Sequence, residues 1–282
     1  MRLASFEHKG RQSFGIVTRD GLVDIPKREQ SFGDLVSVLQ SDEVVSALAP
    51  FEEDEPDYGA DEVTFLPVIP RPGKLIGVGL NYRDHAAELG AKIPTSPELF
   101  VRFADSLVGH RQPLLRPNAS KRFDYEGELA VIIGRSGRRV RREQALAHVA
   151  GYCCFNDGTI RDWQGHSSQY TAGKNFVRTG AMGPWMVTAD CVRDPGSLSV
   201  MSRLNDDLVQ DGRTANMVFD VPALIEYITT FTELRPGDVI ATGTPAGVGV
   251  VRKPALYLKA SDVVEIEIDG VGTLRNTVVD EN

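Results

Sequence analysis

The chain has 282 residues, a formal net charge of -8, 41% hydrophobic and 25% charged residues, the profile of an ordinary soluble globular protein with one large domain or one domain plus a small one. A nucleic-acid binder needs a basic surface to neutralise phosphates; here acids outnumber bases, and the most basic stretch, Arg135 to Arg142, is short and reads as a solvated loop and helix start. No run reaches the roughly 18 apolar residues of a membrane span, and the start, MRLASFEHKGRQSFGIV, lacks a signal-peptide core. The expectation is a cytoplasmic protein with neither a membrane nor a nucleic-acid partner.

Residues 1–66 read as a small, β-rich N-terminal module. SFGIVTRDGLVDIP forms two short strands around Asp20-Gly21. FGDLVSVLQ has helical spacing with Ser31 as its cap. FEEDEPDYGADE reads as an exposed acidic loop, and PVIPRPGK as an extended linker held out of helix by its prolines.

Residues 67–282 carry more strand than helix. KLIGVGL, GELAVIIG, HVAGYCCFND, WMVT, DVIATG and VVEIEI read as strands, and EIEIDGVGTLRN as a hairpin turning at Asp-Gly. NYRDHAAELG is helical, with Asn81 as N-cap and Gly90 as its stop. VPALIEYITTF is helical, with Val221, Leu224, Ile225 and Ile228 on one stripe. Strands do not alternate with long helices, so the fold class is α+β and β-rich, not a doubly wound sheet. Cys153 and Cys154 are adjacent in a strand and point to opposite faces; with Cys191 they read as buried reduced thiols, and no Cys/His zinc spacing occurs.

The chemistry starts at FDYEGELAVIIG. Positions two apart on a strand share a face, so Glu126 and Glu128 stand side by side and need a cation, a proton or solvent. Asp157 ends the next strand at a turn and offers a third carboxylate; alone it also fits an ordinary N-D-G turn. Three oxygen ligands suit Mg2+ or Mn2+, with Ca2+ as the further alternative, and leave coordination positions open. His85 and Glu88 share a helix face, as a base with its orienting carboxylate or as a surface ion pair. Lys174 lies in TAGKNFVRTG, read as irregular, where an ammonium would neutralise an anionic substrate or a developing enolate. ATGTPAGVG lacks the G-K-[ST] ending of a P-loop. It reads as a tight turn whose free N–H groups and Thr244 hydroxyl suit a carboxylate.

Taken in order, K-L-I-G-V-G-L-N-Y-x-D-H, F-D-Y-E-G-E-L-A-V-I-I-G, F-N-D-G-T-x-R-D-W-Q, A-G-K-N-F and P-G-D-V-I-A-T-G-T-P-A-G-V-G resemble the fumarylacetoacetate hydrolase family from about Lys74 to Asn276. The resemblance implies a mixed β-sandwich roll, usually a homodimer, with residues 1–66 as the variable extension of bacterial members. It implies Glu126, Glu128 and Asp157 as ligands of Mg2+ or Mn2+, and His85, Glu88 and Lys174 as catalytic. It implies Tyr82, Arg102, Gln164 and Thr244 as substrate contacts.

Two departures stand out: Arg102 takes the place of a common lysine, and His110 that of a common proline. Arginine is no neutral base and presents a broader fork of donors, so contacts behind the metal ligands or to the substrate are expected to change while metal binding is kept. The expected activity is hydrolysis of a carbon–carbon bond in a 2,4-dioxo acid of acylpyruvate type, giving pyruvate and a carboxylic acid, in catabolism of aromatic or sugar-derived acids. The alternatives are an isomerase of 2-oxo-diene dioates or a decarboxylase of oxaloacetate using the same enolate chemistry, or a silent protein that only binds 2-oxo acids.

Overall fold

The structure, a computed structural model, describes residues 1–41 and 44–282. It is a β-rich α+β fold built on two large sheets. The larger has the strand order Leu22–Asp24, Arg11–Val17, Arg2–His8, Gly180–Thr188, Val149–Asn156, Gly127–Ile133, Val239–Ala241, Leu75–Gly79, Glu98–Val101. The second runs Asp207–Arg213, Ser199–Leu204, Val263–Ile268, Gly272–Asp280, Leu114–Arg116.

Strand Gly127–Ile133 is buried along its whole length, because it is covered on both faces. Leu129, Val131 and Ile133 belong to one core with Val200, Ile266 and Leu274 of the second sheet. Ala130 and Ile132 belong to another, with Leu3, Phe14, Ile16 and Val38 of the N-terminal segment. A strand buried on both faces reads as a continuous apolar run instead of an alternating one, which is the pattern L-A-V-I-I shows. Cys153 and Cys154 divide the same way, one into each core. Both are free, and burial raises both thiols' pKa. Cys191 departs from the expectation: it is exposed.

The hairpin at Asp20-Gly21 forms, joining Arg11–Val17 to Leu22–Asp24. Residues 1–66 are tied into the large sheet through a strand that the sequence reading passed over, Arg2–His8, which pairs with Gly180–Thr188 in the register Arg2↔Val187. PVIPRPGK is no bare linker, since Val68 and Ile69 are completely buried. The cap of helix Leu35–Leu39 is Asp34, not Ser31: Asp34 accepts from the Ser37 N–H and Ser37 reaches back to Asp34, a reciprocal cap.

Helix Arg83–Glu88 stops before Gly90, whose φ of +63 breaks it as expected. Its N-cap position is held by Tyr82 and not Asn81. Asn81 is buried instead, donating to Phe219 O and Thr242 O and accepting from Phe219 N–H. Helix Val221–Phe231 buries Val221, Leu224, Ile225 and Ile228 as its stripe requires, capped by Asp220. The basic stretch is a loop leading into a 3-10 helix at Arg142; Arg138 donates to the last carbonyls of that α-helix, at Thr229 and Thr230. The hairpin Ser199–Leu204 and Asp207–Arg213 had no counterpart in the sequence reading. Among the described residues no helix is long and apolar enough to cross a membrane.

Candidate metal centre and active site

The ladder between Gly127–Ile133 and Val149–Asn156 ends at Gly127↔Asn156, so Glu126, Glu128 and Asp157 meet at one end of two buried central strands. One oxygen of each lies within 4.8 Å of the others, and all three residues are buried. Their second partners are cations. Lys174 Nζ sits 2.6 Å from Glu126 Oε2 and 2.5 Å from Asp157 Oδ2. Arg161 Nη1 lies 2.7 Å from Glu126 Oε1, while its Nε lies 2.7 Å from Asp124 Oδ2. Arg102 Nη1 lies 2.5 Å from Asp157 Oδ1.

Glu128 has no such partner; it accepts one hydrogen bond, from the Gly243 N–H at 2.8 Å. Burial, with Asp157 and Glu126 beside it, holds its carboxyl well above the usual range. Burial pushes Glu126 the same way, but Lys174 and Arg161 outweigh it and hold that carboxyl low. Four carboxylates (Asp124, Glu126, Glu128, Asp157) thus face three cations (Lys174, Arg161, Arg102). A divalent ion held by the triad would relieve the crowding at Glu128. Three hard oxygen donors with no thiolate fit Mg2+ or Mn2+.

A cavity of about 530 Å3 opens onto this floor, lined by His85, Glu126, Glu128, Asp157, Arg161, Gln164, Lys174 and Thr244, with Phe100 and Tyr170 on its wall. His85 Nδ1 is 2.7 Å from Glu88 Oε1, and Glu88 Oε2 accepts from the Gly247 N–H at 2.8 Å. Held between ring and backbone, Glu88 fixes the imidazole with Nδ1 carrying the proton, which leaves the Nε2 lone pair to accept one.

Four sequence assignments change. Arg102 does not line the cavity. It lies wholly buried behind Asp157, also donating to Gly158 O, Ser106 Oγ and Thr179 Oγ1. Tyr82 does not line it either: its ring is fully buried and its hydroxyl has no partner among the described residues. Lys174 closes a one-turn helix, Thr171–Lys174, where an irregular segment was expected. Several amides in and just after the ATGTPAGVG turn are taken by the protein itself. Gly243 N–H serves Glu128, Gly247 N–H serves Glu88, and Gly249 and Val250 N–H serve Asp124. The turn binds carboxylates as expected, but they are the protein's own.

Sequence reasoning assigned no role to Arg161 or Asp124. Asp124, Glu126 and Glu128 alternate in D-Y-E-G-E, the period that places side chains on one strand face, and this was the available signal for Asp124. Arg161 Nη2 is buried without a partner, while its Nη1 also donates to Gln164 Oε1 at 3.1 Å.

Residues 74–279 match the model of the fumarylacetoacetate (FAA) hydrolase C-terminal domain, and the chain belongs to that family. It is 38% identical to a mitochondrial oxaloacetate tautomerase of Xenopus laevis over 99% of this chain and 90% of that protein. Among solved structures it resembles a fumarylacetoacetate hydrolase of Exiguobacterium antarcticum (36% identity, TM-score 0.84, all of both chains). It also resembles a maleylpyruvate hydrolase of Sphingobium sp. SYK-6 in complex with manganese(II) and pyruvate (29% identity, TM-score 0.83, all of both chains).

Proposed function

We propose that this chain is a Mg2+- or Mn2+-dependent enzyme that moves a proton at the carbon beside the oxo group of a small 2-oxo acid, a tautomerase or isomerase in reaction type. The observation that carries this is the shared cavity: His85, fixed by Glu88, opens onto the same space as three buried carboxylates whose oxygens lie within 4.8 Å. Glu126, Glu128 and Asp157 would hold the ion, which supplies Lewis-acid stabilisation of the charge that develops on the 2-oxo oxygen. His85 Nε2 takes the proton from C3, and returning it to the oxygen completes keto–enol exchange. Lys174 and Arg161 hold positive charge beside the reacting end, and Gln164 lines the same wall.

The sequence reading put hydrolysis first. The order is reversed here because the frog tautomerase aligns over nearly the whole chain. Hydrolysis of an acylpyruvate stands as the second reading, supported by the likeness to the maleylpyruvate hydrolase. It needs the same base to activate water. A homodimer, implied by the resemblance, is part of the proposal; sedimentation at twice the 30.8 kDa chain mass is the expected result.

The protein with Mg2+ or Mn2+ should be given oxaloacetate and an acylpyruvate in parallel. Metal-dependent loss of enol absorbance without pyruvate release supports tautomerisation, pyruvate without CO2 supports hydrolysis, and pyruvate with CO2 means decarboxylation. If calorimetry detects oxalate binding while no 2-oxo acid is turned over, the silent binding protein is the right reading and the enzyme proposal fails.

A further inference from the structure

Strand Gly127–Ile133 loses its outer neighbour just where the site begins. Its ladder with Val239–Ala241 reaches Ala130↔Ala241, and one more bond follows, from Thr242 N–H to Leu129 O at 3.1 Å. The neighbouring chain then turns away through Gly243, at φ +99. The divergence opens the cavity, and it leaves the outer edge of Gly127 with no strand to pair with. Gly127 is the residue between Glu126 and Glu128.

Two side chains take the missing strand's place, Gln210 from the second sheet and Thr244 from the diverging chain itself. Gln210 Oε1 accepts from the Gly127 N–H at 2.9 Å, and Thr244 Oγ1 donates to Gly127 O at 3.0 Å. Gln210 Nε2 donates to Thr244 Oγ1 at 2.8 Å and to Pro245 O at 2.9 Å, and Ser202 Oγ donates to Gln210 Oε1 at 2.7 Å. The amide orientation follows from the backbone: the group facing an N–H must be the oxygen, and the group facing a carbonyl must be nitrogen. Every hydrogen-bonding position of Gln210 is used, and the residue is 1% exposed. The sheets meet closely here, since a Cβ at residue 127 would lie 2.2 Å from Ser202 Oγ.

We propose that Gln210 is a positioning residue for the metal centre, acting with Thr244 as a clamp on the Gly127 backbone that fixes the two flanking glutamates. This role rests on the reading of Glu126, Glu128 and Asp157 as metal ligands. The Gly127 backbone sets where the two flanking glutamates stand, and partners behind a ligand set its geometry. It also accounts for Thr244, whose hydroxyl hydrogen is committed to Gly127 O and is not available to a substrate.

The test is Mn2+ calorimetry on Gln210→Leu, Thr244→Val and Thr244→Ser, with the melting temperature of each measured without metal. Removing such a partner weakens metal binding by about 10- to 100-fold. Gln210→Leu and Thr244→Val should therefore lose about tenfold in Mn2+ affinity, while Thr244→Ser, which keeps the hydroxyl, should retain it. Wild-type Mn2+ affinity in Gln210→Leu and Thr244→Val overturns the role, even with lowered melting temperatures, because a merely structural residue moves stability alone. Should Gln210→Leu fail to fold, Thr244→Val decides by the same criterion. A wild-type protein that binds no Mn2+ removes the metal reading and this role together. The expected affinity losses in a protein that turns over no 2-oxo acid uphold the clamp and sink only the reaction.

Discussion

The two halves of the site are built differently. The carboxylate floor sits at the end of the fully buried strand Gly127–Ile133 and its neighbour Val149–Asn156, buried but for Ala150, and Lys174, Arg102, Arg161 and the Gln210 clamp engage it. His85 sits on a helix of six residues, Arg83–Glu88, with Ala87 exposed and Leu89 42% exposed beyond it. A helix that short has no stability of its own. It is held by burial of Tyr82, His85 and Ala86, by Arg83 donating to Met217 O at 2.6 Å, and by Glu88 on Gly247. On the proposed reading, metal binding and proton transfer are therefore separable: the first would rest on the end of the core, the second on one short helix held by a few contacts.

The harshest way to probe the floor is Asp157→Ala. It deprives both Arg102 and Lys174 of a partner at 2.5 Å, and stranding a buried charge costs about 3–5 kcal/mol. Denaturant unfolding should show a loss of that order, with Mn2+ binding abolished. An unchanged unfolding midpoint would mean that charge pairing does not hold the floor. His85→Ala tests the other half. Turnover should fall by roughly 10^2 to 10^4, the usual worth of a general base, while Mn2+ affinity stays at the wild-type value. If metal affinity fell together with turnover, the two halves would not be separable.

Much of this division was legible in the sequence, for local reasons. Glu126 and Glu128 are placed by the two-residue period of a strand, and His85 and Glu88 by the three-residue step of a helix. What was not legible depends on long-range approach. Arg161 has no local signature, and its meaning lies in reaching Asp124 and Glu126 from another element. Arg102 was read as a substrate contact because only its substitution for a lysine was visible, not the depth at which it lies. The N-terminal hairpin was read from its turn, yet the pairing of Arg2 with Val187 joins residues 185 apart in sequence. Hairpin 199–213 was missed because its inward positions alternate Val200, Ser202 and Leu204; the buried serine, which serves Gln210, interrupts the apolar pattern.

Arg102→Lys sharpens the account of the floor with a smaller effect. Charge is kept, but one ammonium cannot reach Asp157 Oδ1, Gly158 O, Ser106 Oγ and Thr179 Oγ1 together. Leaving such groups unsatisfied costs about 1–3 kcal/mol, so the melting temperature should drop, with KM for a 2-oxo acid unchanged. A raised KM at wild-type stability would restore the sequence reading of Arg102 as a substrate contact.

The smallest effect concerns pH, and it guards the comparison against a false attribution to the floor. His110, unexplained by sequence, stacks edge-on against Phe65, and its Nδ1 accepts the Arg275 N–H at 3.1 Å. Burial, with Arg111 and Arg275 nearby, lowers its pKa to about 4. The folded protein therefore keeps the ring neutral, whereas an unfolded chain protonates it near the ordinary value of about 6.5. As pH falls from about 6.5 towards 4, the unfolded state takes up the proton first and stability is lost. Glu126, held low by Lys174 and Arg161, contributes a separate loss that begins only as pH falls through the ordinary carboxylate range. Melting curves of wild type and His110→Asn at pH 7, 5.5 and 4.5 divide the two. The variant should lose less than wild type between pH 7 and 4.5, and parallel curves would show that His110 is not the group that titrates.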